Sequence, residues 1–337
     1  MFPSARLTAR SKALFRSYGK DWGLVLVVLA AFSFIDTLEP YHRQFSVKDV
    51  TIQHPFDKKE TIPVWLAFIL AFVLPGIIIS CIAILHRKSY TDLHNGLLGL
   101  FLAEALVLIV TDSVKIAVGR PRPDFLDRCL SLYDNEAQGT PILLLSDPIN
   151  MLSSSSICTR TDLLRDGFKS FPSGHSSCSF GGLGYLSMYL AGKLHLFDER
   201  GHIYKSVIVL APLILAAMIA TSRVDDYRHH WQDVTVGAFI GSVFAIFAYR
   251  QYYPSLGAIK CDNPFSPRVG EDGGEVLLPT SRQRGHDDGD NTNTNADDDD
   301  HRSPFLRNSV LGSNAGQRSS NGAKYSPALS LEQTRQG

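Results

Sequence analysis

The sequence predicts an all-α protein built from six membrane-spanning helices. Six apolar runs of about membrane length succeed one another between residues 22 and 253 of the 337-residue chain. One such run could be the core helix of a soluble protein, but six in order are not explained that way. The composition also breaks near residue 254, after which the chain is polar, acidic and rich in Gly, Ser and Asn. That break hides the apolar part in the bulk numbers: 45% hydrophobic residues, and 33 basic against 33 acidic.

The expected spans are 22–38, 62–85, 95–117, 174–192, 204–221 and 232–252. The first is short, but others come after it, so it reads as an uncleaved span rather than a signal peptide. Basic residues set the orientation. Arg6, Arg10, Lys12, Arg16 and Lys20 precede the first acid, Asp21. Arg87 and Lys88 come after the second span, and Lys193, Arg200 and Lys205 after the fourth. These sides are expected to be cytosolic, as are both termini. Loops 39–61, 118–173 and 222–231 then face the lumen or the exterior, in an endomembrane (ER, Golgi or vacuole) or the plasma membrane. No N-glycosylation sequon occurs in these loops.

The expected domains are a basic N-terminus (1–21), the six-span body (22–253) and a disordered cytosolic tail (254–337). The stretch HDDGDNTNTNADDDD holds too little apolar surface to offset chain entropy. Its run Asp297–Asp300 reads as solvated. Ser266, Ser303 and Ser326 each precede a proline and would be open to cytosolic kinases. The balanced charge gives no support for a nucleic-acid partner. The five cysteines, Cys81, Cys129, Cys158, Cys178 and Cys261, show no CxxC or Cys/His spacing that would hold zinc. Cys129 and Cys158 share one loop. A disulfide there requires an oxidising compartment, and free thiols are the alternative.

With this topology, three polar clusters meet on one face of the membrane. They are KIAVGRPRP (Lys115–Pro123), PSGH (Pro172–His175) and SRVDDYRHHWQD (Ser222–Asp233). The chemistry they share is that of a phosphate site. Lys115, Arg122 and Arg223 would neutralise a phosphoryl group, and the arginines offer bidentate contacts. The turn at Ser173-Gly174 would present free backbone N–H groups and the positive end of a helix dipole to an anion. Gly174 permits close approach and the Ser173 hydroxyl adds a donor. Gly119 and Pro121 would end the third span, letting Arg122 turn inward.

His229 and Asp233 are four residues apart, so on a helix they would share a face. The carboxylate would hold Nδ1–H and free Nε2 to attack phosphorus, with His175 as general acid for the leaving alkoxide. Taken singly, each feature has a plain structural reading: Lys and Arg at span ends act as snorkelling anchors, an interfacial His is a satisfied polar residue, and a PSG turn is a helix start. Taken together on one face, those readings are hard to sustain. His230 is expected to be structural, Asp225 and Asp226 solvated, and Glu104, inside a span, to serve in an interhelical hydrogen bond. The small residues of the fourth span, Ser176 to Gly184, would allow close helix packing.

Lys115-x6-Arg122-Pro123, Pro172-Ser173-Gly174-His175 and Ser222-Arg223-x5-His229-x3-Asp233 resemble the three-part signature of the type 2 phosphatidic acid phosphatase (PAP2), or lipid phosphate phosphatase, superfamily. All three parts occur in order, across about residues 20–253. The chain looks most like the fungal and plant branch that includes diacylglycerol pyrophosphate phosphatases. The resemblance implies a six-helix, PAP2/haloperoxidase-like core and Mg²⁺-independent hydrolysis through a phosphohistidine, with no cofactor and no metal ligands. On that pattern His229 attacks, Asp233 orients it and His175 protonates the departing lipid oxygen. Lys115, Arg122, Ser173, Gly174 and Arg223 hold the phosphoryl oxygens. "GRPRP" offers a second Arg-Pro pair at Arg120, but only Arg122 has the family spacing. The implied substrates are phosphatidate, lysophosphatidate and diacylglycerol pyrophosphate, presented from the bilayer.

The same signature serves phosphatases of sphingoid-base phosphates and polyprenyl diphosphates, and soluble haloperoxidases, which the spans disfavour. A non-catalytic anion-binding membrane protein is the rival of another class. It would need neither an oriented histidine nor a second one. The oligomeric state is not legible.

Overall fold

The computed structural model describes residues 9–130, 147–148 and 151–268. It is nearly all helical. Among the described residues the only strand-like pairing is an isolated bridge between Phe45 and Ser153. The long helices are α1 (Ala9–Asp36), α4 (Tyr90–Val118), α7 (Gly174–Lys193), α8 (Ile203–Asp225) and α9 (Trp231–Tyr252). The second apolar run is a composite: α2 (Val64–Phe68) and α3 (Leu74–Cys81), each continued by a π-helical turn, 69–73 and 82–86. Pro75 enters α3 without an N–H to bond the preceding turn, which accounts for the wide turn before it. Short helices α5 (Phe125–Leu130) and α6 (Leu164–Gly167) lie in the loop between α4 and α7.

Among the described residues, five helical stretches are long and apolar enough to cross a membrane: 16–36, 64–86, 90–118, 203–225 and 231–252. The expectation of six is not met on this measure. The fourth expected span, α7, has the length, but its Ser and Gly lower its hydropathy. The physical reason lies in its position. α7 packs against α4, α8 and α9, and most of its residues are buried among them, so it exposes little side chain to lipid. The outward faces of the other helices are the reverse, with Leu24, Leu26, Phe68, Ile77, Ile214, Met218, Phe239 and Phe247 all exposed. A monomer in water does not carry that much bare apolar surface.

Three buried serine hydroxyls of α7 bond its neighbours, while the hydroxyls of Ser179 and Tyr185 have no partner among the described residues. Ser176 donates to the Val234 carbonyl (2.7 Å), Ser187 to the Val209 carbonyl (2.6 Å), and Ser177 accepts from Thr111 (2.9 Å). Glu104 lies against Cys178 and Gly182 of α7, as an interhelical partner would, but its Oε1 has no hydrogen bond.

A second hydrophobic cluster lies in the loops, where Phe45, Val47 and Ile52 meet Phe125, Leu126, Leu130, Leu164 and Phe168. A disulfide joins Cys129 to Cys158 within it, deciding the alternative that sequence left open. At the opposite end of the bundle, residues 254–268 do not leave the fold, although composition placed them in the tail. Phe265 N–H bonds the Tyr252 carbonyl (2.9 Å), Lys193 donates to the Asp262 carbonyl (2.5 Å), and Arg87 pairs with Asp262 (2.7 Å). This stretch has Leu256 and Cys261 to pack, whereas the composition beyond it is almost wholly polar up to Arg302 apart from Val269, Val276, Leu277 and Leu278. The expected disordered tail from 269 on, and Arg6 of the basic N-terminus, lie outside the described residues.

Candidate active site

Three helix ends meet at one place. α4 stops at Gly119, which adopts the left-handed conformation (φ 55°) where a Cβ would strike the Tyr41 carbonyl. The chain then turns, and Arg122 N–H bonds the Gly167 carbonyl (2.9 Å) while Ser170 N–H bonds the Arg120 carbonyl (3.2 Å). This stitches the exit of α4 to the approach of α7. The start of α7 is fixed in turn to the start of α9, because Ser173 N–H bonds the Asp233 carbonyl (3.0 Å). Gly237 supports the contact: a Cβ there would come within 2.6 Å of the Ser173 carbonyl.

Ser173 is the N-cap of α7, its Oγ accepting from Ser176 N–H at 3.5 Å. The hydroxyl proton stays available to a ligand, and the first N–H groups of α7 have no acceptor in the helix. Gly174 faces the Lys115 ammonium directly, since a Cβ at 174 would lie 3.2 Å from Nζ. Lys115 makes no hydrogen bond or ion pair with the described residues, and the nearby Asp112 carries a buried oxygen without a partner.

His229 is buried, and its Nδ1 lies 2.6 Å from the Ser170 carbonyl. A carbonyl oxygen only accepts, so Nδ1 carries the proton and Nε2 keeps its lone pair. The expected tautomer is therefore present, but its partner is not the expected one. Asp233 does not hold His229. The i,i+4 argument presumed a helix through both residues, whereas α9 begins at Trp231 and His229 precedes its N-cap, His230. Asp233 instead accepts from Ser170 Oγ (2.5 Å), Arg120 (2.6 Å) and the N–H of His230 (3.1 Å). Asp233 thus reaches His229 through Ser170, and His230 serves as a helix cap. Sequence reading gave no role to either Ser170 or Arg120.

His229 lies within electrostatic reach of Arg122, Lys115 and His175, and His175 within reach of Arg223, Lys115 and Arg122. The three clusters therefore converge. Burial, with Arg122 and Lys115 beside it, holds the His229 pKa well below the usual histidine value. The Nε2 of His175 is buried without a hydrogen-bond partner.

The arginines of the site are already engaged. Arg122 donates from Nη2 to Asp166 (2.8 Å), leaving its Nε buried and unbonded. Asp166 also accepts from Arg128 (2.6 Å). Burial alone would raise its pKa, but Arg122 and Arg128 hold it down at about 2. Arg223 is buried, with Glu60 on Nη1 (2.9 Å), Asp226 on Nη2 (2.7 Å) and Ser222 on Nε (3.2 Å). Asp226 is not a solvated acid, since it also accepts from the N–H and hydroxyl of Thr61 (3.0 and 2.6 Å). Among the described residues no three His, Cys, Asp or Glu side chains group to hold a metal ion.

In chemical terms, a lone-pair nitrogen with its partner nitrogen anchored stands beside an unpaired lysine, two arginines and a helix N-terminus. That arrangement binds a tetrahedral oxyanion and offers it a nucleophile.

Comparison with known proteins agrees with this chemistry. The PAP2 superfamily profile matches residues 96–256. Lipid phosphate phosphatase 2 of Arabidopsis thaliana is 41% identical over 245 residues, covering 71% of this chain and 78% of that protein. A probable diacylglycerol pyrophosphate phosphatase 1 of Schizosaccharomyces pombe is 37% identical, covering 72% and 84%. Diacylglycerol pyrophosphate phosphatase 1 of Saccharomyces cerevisiae is 34% identical, covering 77% and 88%. No solved structure matches the chain.

Proposed function

The chain belongs to the PAP2 superfamily, and from that premise we propose that it is an integral-membrane lipid phosphate phosphatase. It releases phosphate from phosphatidate, lysophosphatidate or diacylglycerol pyrophosphate. The observation that carries the mechanism is the 2.6 Å contact from His229 Nδ1 to the Ser170 carbonyl, which leaves Nε2 as the nucleophile.

In the first step Nε2 bonds to phosphorus as the P–O bond to the lipid breaks. His175 gives its proton to the departing alkoxide, or to the departing phosphate when the substrate is a pyrophosphate. Water then attacks the phosphohistidine, giving its proton back to His175 and returning His229 to its starting form. Lys115, Arg122, Arg223, the Ser173 hydroxyl and the N–H of Gly174 hold the phosphoryl oxygens where charge builds up. Asp233 acts as a positioning residue, keeping Ser170 and hence His229 in place. The residues supply nucleophile, acid and charge without a metal.

A bilayer substrate suits the depth of the site. Trp231, two residues after His229, is exposed at the start of α9, and Trp65 is exposed at the start of α2. Tryptophans at span ends sit at headgroup level. We read α7 as the sixth span, with both termini cytosolic and the site on the lumenal or exterior face.

The test is phosphate release from phosphatidate and from diacylglycerol pyrophosphate in detergent micelles containing EDTA. Wild type should turn over, and His229→Ala should show neither turnover nor a phosphoenzyme. Substantial activity in His229→Ala would exclude the mechanism. A wild type inactive on both lipids, but active on a sphingoid-base phosphate or polyprenyl diphosphate, would move the substrate class.

A further inference from the structure

We propose that Glu60 is a displaceable internal anion that occupies Arg223 when the site is empty and competes with the phosphoryl group of the substrate. The inference deepens the phosphatase reading and rests on it.

All three guanidinium nitrogens of Arg223 have a partner: Ser222 on Nε, Asp226 on Nη2 and Glu60 on Nη1. Ser222 and Asp226 belong to the same helix and its C-cap, and Asp226 is pinned by Thr61. Glu60 comes from elsewhere, the loop ahead of α2. Its other oxygen is only loosely held, 3.4 Å from Arg228. Its side chain is 25% exposed against 1% for Arg223, so it covers the arginine from the open side.

A carboxylate presents oxygen to a guanidinium much as a phosphate does. Nη1 carries a second hydrogen, but Glu60 lies on its open side, so a phosphoryl oxygen that approaches from there competes with the carboxylate for that nitrogen. Asp166 on Arg122 is a different case. It makes two short charged hydrogen bonds, to Arg122 and Arg128, and Arg122 still has a free, buried Nε to offer. Asp166 can therefore stay when substrate binds.

The loop is built so that Glu60 can swing while its neighbours hold. The guanidiniums of Arg128 (4.3 Å) and Arg228 (4.7 Å) both lie over the Phe56 ring. The Phe56 N–H bonds Asp127 (2.8 Å), and Arg228 donates to the Asp57 carbonyl (2.6 Å). His54 stacks on Tyr227 at 4.3 Å. On the other side Thr61 is bound to Asp226. Between these anchors lie the exposed Lys58 and Lys59, then Glu60 itself.

Expelling Glu60 weakens substrate binding by whatever the ion pair was worth. Removing its charge should therefore tighten binding of any phosphoryl ligand. In Glu60→Gln, KM for phosphatidate and the competitive Ki of inorganic phosphate should both fall, by about two- to fivefold for a part-exposed ion pair. In wild type, saturating orthovanadate should speed amide hydrogen exchange at residues 58–60, since the Glu60 anchor is released, and leave the Thr61 amide, held by Asp226, unchanged. Unchanged KM and Ki would overturn the proposal. A rise in both would mean that Glu60 supports Arg223 rather than competing for it, and slower exchange under vanadate would mean the same. The controls are separable. If wild type neither hydrolyses lipid phosphate nor binds inorganic phosphate, the phosphatase reading fails first. If wild type is normal and Glu60→Gln matches it, only this proposal fails.

Discussion

At the scale of single residues, the state of His229 is set by where it is buried. Burial and the cations Arg122 and Lys115 disfavour its protonated form, so its folded pKa lies well below the value near 6.5 of an unfolded chain. Above about 6.5 the group is neutral in both states and takes nothing from stability. As pH falls below 6.5 the unfolded chain binds a proton that the folded one refuses, and stability drops. Thermal melting in detergent should therefore worsen more steeply between pH 7 and 5 for wild type than for His229→Asn. Parallel curves would contradict the depressed pKa. The same sign keeps Nε2 unprotonated in mildly acidic solution, as the proposed role of nucleophile requires. The residues of the site were legible in sequence because the three clusters each carry an unusual density of Pro, Gly, His and cations. Their wiring was not. Ser170, Asp166 and Glu60 are an ordinary serine and two ordinary acids in loops, and nothing in local spacing announces that the first holds a histidine and the others hold arginines.

At the scale of elements, α7 is the informative case. Its start was read from PSGH and its close packing from its small residues, and both agree with the bundle. Its hydropathy is low for the same reason that its packing is close. Gly and Ser let α4, α9 and the second span approach, so lipid is replaced by protein around it. A periodicity argument sees only composition, and cannot tell a helix shielded by neighbours from one too polar to span. The π-helical turns of the second span were likewise invisible, because they change hydrogen-bond register and leave the apolar run intact. The packing makes a sharp prediction. A Cβ at Gly182 would collide with the Ala71 carbonyl, which is backbone and cannot rotate away. Gly182→Val should cost about 1–3 kcal/mol and lower the melting temperature. Gly257→Ala, where a Cβ meets nothing within 4 Å, should leave it unmoved. Equal melting of the two variants would show that α7 is not packed as described.

At the scale of the whole molecule, the proposed topology puts the two ends of α9 on opposite sides of the membrane. His229 lies just before its first turn, and the chain continues toward the tail after Tyr252. Twenty-two helical residues span about 33 Å, close to the hydrocarbon thickness of a bilayer. The ends of the other helices agree, with Trp65 and Trp231 exposed at the catalytic end and Tyr90 and Tyr204 exposed at the start of α4 and α8, at the other end. The disulfide lies with the catalytic loops, as an oxidising lumen or exterior would allow, and the free thiol of Cys261 lies at the opposite end. If the proposed topology holds, site and tail never share a side. In sealed proteoliposomes of mixed orientation, external protease should remove the tail only from molecules whose site faces inward. A short-chain, water-soluble phosphatidate added outside should be hydrolysed only by molecules whose tail is protected. The protected fraction should then equal the fraction of total activity seen before detergent opens the vesicles. Activity that tracks the cleaved fraction instead would put site and tail on one side, which a single crossing by α9 does not permit.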